Sequence, residues 1–325
     1  MKNKLLISTV FSSLLFANSI YSQTDVLKEA RQYLSVQSGA QNVDKKALKN
    51  PDPQAMACVE LKFRSSSVGK IGTTSSYAIL EGIDSALFQT ITNEFYVIFS
   101  EKLKGAGITL VDLEKIKATK KYKEIVADTK EKRNYSSKET GAATIYTQNH
   151  DPIFAPTGMK LYKYQSEIEA GVTNLLLMVD FIEFDMTAKD VYHDFFDKSN
   201  KTSTVTAKVR PAIKITSGWA ESSQEDKFGA VPGLTIVNKK MMGPLFSTTL
   251  PIYSPYEADV TTHDGSVPEF AKNRSRLFGG GPMQLGTFVV KPNQEAFHKS
   301  AIEALTRYAE YVAAIIKSYN EDKKK

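Results

Sequence analysis

The chain has 325 residues, 42% of them hydrophobic and 24% charged, a balance that builds a core and argues against a disordered chain. Its net charge of +6 drops to +4 once residues 1–22, which hold Lys2 and Lys4 and no acid, are set aside. Bases alternate with acids except in the tail Lys323, Lys324 and Lys325; nucleic-acid binders gather their bases on one face or stripe, so no nucleic-acid partner is expected.

In chain order, Lys2 and Lys4 precede an apolar run from Leu5 to Ala17, and small or polar residues follow to Ser22. This pattern predicts a secretory signal peptide over 1–22, cut after Ser22 or after Ser19. The run is too short to span a membrane, though an uncleaved amino-terminal anchor is the alternative. No cysteine lies near the cleavage region to be acylated. The only one, Cys58, excludes an intrachain disulfide despite an oxidising destination. After residue 22 no stretch approaches 18 apolar residues, so no transmembrane segment is expected in the mature chain, with peripheral membrane contact left open. The expected location is exported: the periplasm or outer-membrane periphery of a bacterium, or secretion beyond it.

Residues 23–52 read as a short amphipathic helix, with Val26, Leu27, Ala30 and Leu34 at helical spacing, and a polar linker ending at Pro51-Asp-Pro53. The rest, 53–325, reads as one α/β domain. Ala55 to Phe63 has strand character, and Cys58 inside it reads as an inert thiol, because thiolate chemistry needs an accessible, electropositive site. After the polar break RSSSVGKIGTTSS, Leu80, Ile83, Leu87, Ile91, Phe95, Ile98 and Phe99 predict a long helix with Lys102 and Lys104 in its last turn. Gly105 or Gly107 closes it. Ile108 to Val111 then reads as a buried central strand, and 113–130 as a second helix. Strand, helix, strand, helix implies a crossover with parallel pairing. Phosphate-cradling glycines end a strand and open a helix; Gly105 and Gly107 do the reverse, so this turn is scaffold.

Two long strands follow within 174–216. Ile182, Phe184 and Met186 alternate with Glu183 and Asp185; Val205, Ala207, Val209, Ile213 and Ile215 alternate with Thr206, Lys208, Arg210 and Lys214. Antiparallel pairing would set acids against bases. Pro211 cannot donate a ladder bond and implies an edge or a bulge. From Ser217 to Gly286 the pattern gives way to a long irregular insertion rich in Pro, Gly and aromatics. The strand LGTFVV and a terminal helix follow, with Phe297, Ala301, Leu305, Tyr308, Val312, Ile315 and Tyr319 in one stripe. The fold class is α/β, a mixed sheet with flanking helices.

Chemistry is sparse. Three histidines precede aspartates, at His150-Asp151, His193-Asp194 and His263-Asp264, in polar, turn-like contexts and without a metal-ligand spacing such as HExxH. No GxSxG elbow occurs, and no helix follows LFGGGP to present amides to an anion. Catalytic residues, metal and cofactor are therefore each expected to be none. In the insertion, Trp219, Phe228, Phe246, Tyr253 and Tyr256 either cover the core or form a contact patch. Tyr and Arg dominate binding hot spots. The expected partner-binding residues are accordingly Tyr253, Tyr256, Arg274 and Arg276, with Trp219 equally suited to cover the core.

Strand 55–63, helix 76–104, strand 108–111, helix 113–130, the strands within 174–216 and the terminal helix together resemble the periplasmic domain of the curli secretion channel family. The related amino-terminal domain of the TolB type is similar. FSEKLKGAGITLVD is the closest local match, and the likeness covers 53–216 and 287–320. The resemblance implies a non-catalytic fold that mediates assembly. The chain departs from the family in having no acylation cysteine and no second hairpin with a lipid-facing register. The expected function is an exported non-catalytic envelope protein acting in binding or assembly, with a protein partner or a second copy of itself. The alternatives are an exported metal-dependent hydrolase using the His-Asp pairs and an outer-membrane secretion channel subunit.

Overall fold

The computed structural model describes residues 25–37, 48, 51–71, 74–128, 133–137, 141–151, 165, 167–192, 201–217, 233–239, 243–263 and 284–321. Strand β2 (Gln54–Arg64) is the axis of the larger sheet. It buries Ala55, Met56, Val59, Leu61 and Phe63, as a strand paired on both edges and covered on both faces must. Its neighbours are β7 (Gly171–Tyr192), parallel, and β6 (Gly141–Thr147), antiparallel. The order runs β1 (Leu34–Gln37), β10 (Leu245–Thr248), β9 (Gly233–Val237), β7, β2, β6, β5 (Asn134–Ser137). Strand β8 (Lys201–Thr216) pairs with β7, and β11 (Ile252–Pro255) with β8. A second sheet runs β12 (Ala258–His263), β13 (Gln284–Pro292), β4 (Thr74–Leu80), β3 (Ser66–Ile71), with β13 parallel to β4. The mixed α/β architecture with a packed carboxy-terminal helix is thus present.

Helix α1 (25–33) leads into β1. Helix α2 (Ser85–Gly105) begins where Asp84 Oδ1 accepts the Leu87 amide at 2.8 Å, and buries Phe88, Ile91, Phe95, Phe99 and Leu103 at helical spacing. Gly107, at φ +90°, closes the turn after it, which only glycine does without strain. The second predicted helix is two: α3 (Leu113–Ala118), capped by Asp112, and α4 (Lys120–Asp128), separated at the extended Thr119. Asp112 closes the scaffold turn by capping a helix. Helix α5 (Gln294–Glu321) buries Phe297, Ala301, Leu305, Tyr308, Val312 and Ile315 against α2 and the larger sheet.

Further local readings differ from the expectation; α2 starts at Ser85 and not at 76, for Leu80 lies in β4 and Ile83 before the helix. The polar break is a hairpin, β3–β4, because its serines are buried and bonded: Ser76 Oγ donates to Gly286 O at 3.3 Å and Ser67 Oγ to Asp180 Oδ2 at 3.0 Å. Ile108 to Val111 is no central strand. Leu110 makes one parallel bridge to Gln54, and the same edge of β2 passes to β6 from Glu60 onward. The amino-terminal helix stops at residue 33, and the next four residues join the sheet against β10. The described parts of 217–286 form four short strands, β9 to β12, which bury Leu234, Ile236, Phe246 and Ile252. That stretch is part of the fold. Its strands of four to six residues, broken by Pro and Gly, are too short to show a period.

Candidate functional site

Strand β7 is 22 residues long, and only its first part lies inside the sheet. Its pairing with β9 covers Val172 to Leu176, and its pairing with β2 ends at Phe63↔Val179. From Glu183↔Arg210 to Tyr192↔Lys201 it pairs with β8 and with no other described strand. These ten register pairs make a two-stranded ribbon roughly 30 Å long at about 3.3 Å per residue.

The ribbon has two chemically distinct faces. On one, Phe184 stands opposite Val209 and Met186 opposite Ala207. Near the root this face is covered by β3, so closely that a Cβ on Gly69 would lie 2.6 Å from the Phe184 ring and 2.9 Å from Met186 Sδ. On the other face Glu183 meets Arg210 with Oε2 to Nε at 3.3 Å, Asp185 stands opposite Lys208, and the hydroxyls of Thr187 and Thr206 are 2.7 Å apart. Acids therefore line β7 and bases line β8, as antiparallel pairing predicts. Pro211 sits at a bulge, opposite Ile182 where the register shifts.

At the root, Arg64 from β2 and Asp180 from β7 form a buried ion pair, Nη1 to Oδ2 at 3.1 Å. Burying two charges costs several kcal/mol each, offset only by good geometry and further hydrogen bonds. Here Ser67 supplies one and the Phe181 amide another, at 2.8 Å to Oδ1.

The residues expected to contact a partner separate. Tyr253 is half-buried on β11 opposite Lys214, with its carbonyl accepting from Arg307 Nη1 at 3.1 Å; burial raises its phenol above the usual range. Tyr256 is 9% exposed, inside the core, and donates its hydroxyl to the Phe181 carbonyl. Burial, then the nearby Asp180 carboxylate, raises that phenol strongly. A ring so placed presents no surface to a partner. Arg274, Arg276, Trp219 and the LFGGGP segment lie outside the described residues.

Of the His-Asp pairs, only His150-Asp151 lies wholly within the described residues. Asp151 is buried beside Lys117 at 3.1 Å, and Arg133 donates to its carbonyl at 3.0 Å. His263 ends β12, while His193, Asp194 and Asp264 lie outside. Among the described residues no three His, Cys, Asp or Glu side chains gather as a metal site.

The ribbon was the feature missed. Its alternation of Glu183 and Asp185 against Lys208 and Arg210 is plain in the sequence. Only the ends of the β2 and β9 pairings show that it leaves the sheet. The chain matches no family model, no curated protein and no solved structure.

Proposed function

We propose that the chain is an exported, non-catalytic envelope protein that works by binding and self-assembly through its α/β body. Export follows from Lys2, Lys4 and the apolar run behind them. Assembly is supported by the ribbon. No described strand pairs with the outer edge of β7 beyond Val179, nor with that of β8 before Ala212. Unpaired edges are templates for another strand. If β8 of one copy adds to the open edge of β7 on the next, Lys208 and Arg210 come to lie beside Glu183 and Asp185 again. Opposite-charge cross-strand pairs contribute about 0.2–1 kcal/mol each, while like charges oppose the contact.

The test is charge reversal. Glu183→Lys with Asp185→Lys makes both strands basic; Lys208→Glu with Arg210→Glu makes both acidic. Each variant alone is expected to lose self-association in sedimentation and cross-linking, and an equal mixture is expected to regain it. Reversed variants that associate as the parent does, or a parent that stays monomeric at high concentration with and without envelope lipids, would sink the reading.

A further inference from the structure

Between Asp180 and Ile182 the register of β7 on β8 shifts, so that Phe181 of β7 faces two residues of β8, Ala212 and Ile213, at a bulge. A bulge disrupts the ladder locally on both strands, and buried backbone groups need partners. Both groups of Phe181 find them in side chains: its N–H donates to Asp180 Oδ1, and its carbonyl accepts from the Tyr256 hydroxyl. Tyr256 reaches the other strand as well, its backbone N–H donating to the Pro211 carbonyl at 3.3 Å. One residue therefore ties together both strands of the ribbon where they leave the sheet.

Tyr256 is itself held by α5. Its ring packs edge-on against Phe297, with centroids 5.5 Å apart and planes at 68°. One turn further along, Ser300 Oγ lies 2.8 Å from the Ser254 carbonyl and 3.0 Å from that of Pro255, the two residues before Tyr256. Helix α5 holds the elbow 254–256, and the elbow holds the bulge. A residue that only filled core volume would need the ring; the hydroxyl is placed on the Phe181 carbonyl, at the point where the register shifts.

We propose that Tyr256 is a positioning residue, through which α5 sets the direction in which the β7–β8 ribbon leaves the sheet. This goes beyond the binding reading above and holds or fails without any partner.

The experiment is amide exchange, read by mass spectrometry on the full mature chain. It compares ribbon segments 183–188 and 205–210 with sheet segments 175–177 and 213–215. Tyr256→Phe keeps the ring and removes the hydroxyl; it is expected to speed ribbon exchange about tenfold and leave the sheet segments unchanged. Tyr253→Phe, three residues away and outside the linkage, is expected to change neither. Ser300→Ala acts one step back along the same path and should speed ribbon exchange alone, by a smaller factor. Equal acceleration of ribbon and sheet in Tyr256→Phe would make the residue a core filler and overturn the proposal, as would no acceleration anywhere. Should Tyr256→Phe reduce the yield of folded protein, Ser300→Ala decides, and an unchanged ribbon there overturns it too.

Discussion

Among the described residues five tyrosines, Tyr146, Tyr253, Tyr256, Tyr308 and Tyr311, have phenols raised above the ordinary value, and burial is the largest cause in each. In the unfolded chain a phenol titrates near pH 10. Above that the unfolded state sheds protons that the folded state retains, so stability is full below about pH 10 and falls as pH rises further. The melting temperature is therefore expected to drop above about pH 10, and the phenolate absorbance of Tyr256, Tyr308 and Tyr311 to appear only as the protein unfolds. All 15 tyrosines ionising near pH 10 with the fold intact would contradict this. The Arg64–Asp180 pair makes a sharper point about single residues. Arg64→Met leaves the Asp180 charge buried and is expected to cost about 3–5 kcal/mol in urea unfolding, whereas Arg64→Met with Asp180→Leu is expected to cost less than either change alone. If the double variant loses the sum of the two, Arg64 and Asp180 contribute independently and the compensation argument fails.

Among the elements, α5 has the clearest stake in stability. Leu305 is fully buried on it, and Leu305→Ala is expected to cost about 2–5 kcal/mol by equilibrium unfolding; a loss under 1 kcal/mol would mean that the site collapses around the deletion. This helix was legible in the sequence, as were α2, β2 and the β7–β8 pair, because each is long enough to repeat its period. Pro211 announced its bulge because a residue without an N–H cannot sit in a ladder. The β3–β4 hairpin was hidden because Ser66, Ser67, Ser75 and Ser76 look like a loop and are buried. The hydroxyls of Ser67 and Ser76 bond to groups 113 and 210 residues away, which no local pattern records. Tyr256 was hidden for the same reason: its role depends on the Phe181 carbonyl, 75 residues earlier. A period reports neighbours along the chain, and these contacts are not between neighbours.

At the scale of the molecule, the self-assembly reading carries a salt dependence. Glu183 and Arg210 are partly exposed, and a neighbouring copy would add more pairs of that kind. Exposed charges are screened within a Debye length of about 10 Å at 0.1 M salt. Association measured by sedimentation is thus expected to weaken between low and high salt; strengthening would assign it to the apolar face. No described helix is long and apolar enough to cross a membrane, which agrees with the expectation for the mature chain and says nothing of strands.

The pairing of β1 with β10 has a consequence in time. Leu34 meets Thr248, and β4 meets β13 in parallel, more than two hundred residues later. Contacts so distant along the chain must wait for loops to close, and such folds form slowly, in milliseconds to seconds. A chain ending at residue 232 would lack β9 to β13 and α5, and is expected to be cleaved rapidly by protease; a protected fragment would show that the first half closes alone. The earliest described strand off the ribosome is left waiting for a partner more than two hundred residues behind it. A polypeptide that cannot close until it is nearly complete remains threadable while it is being made.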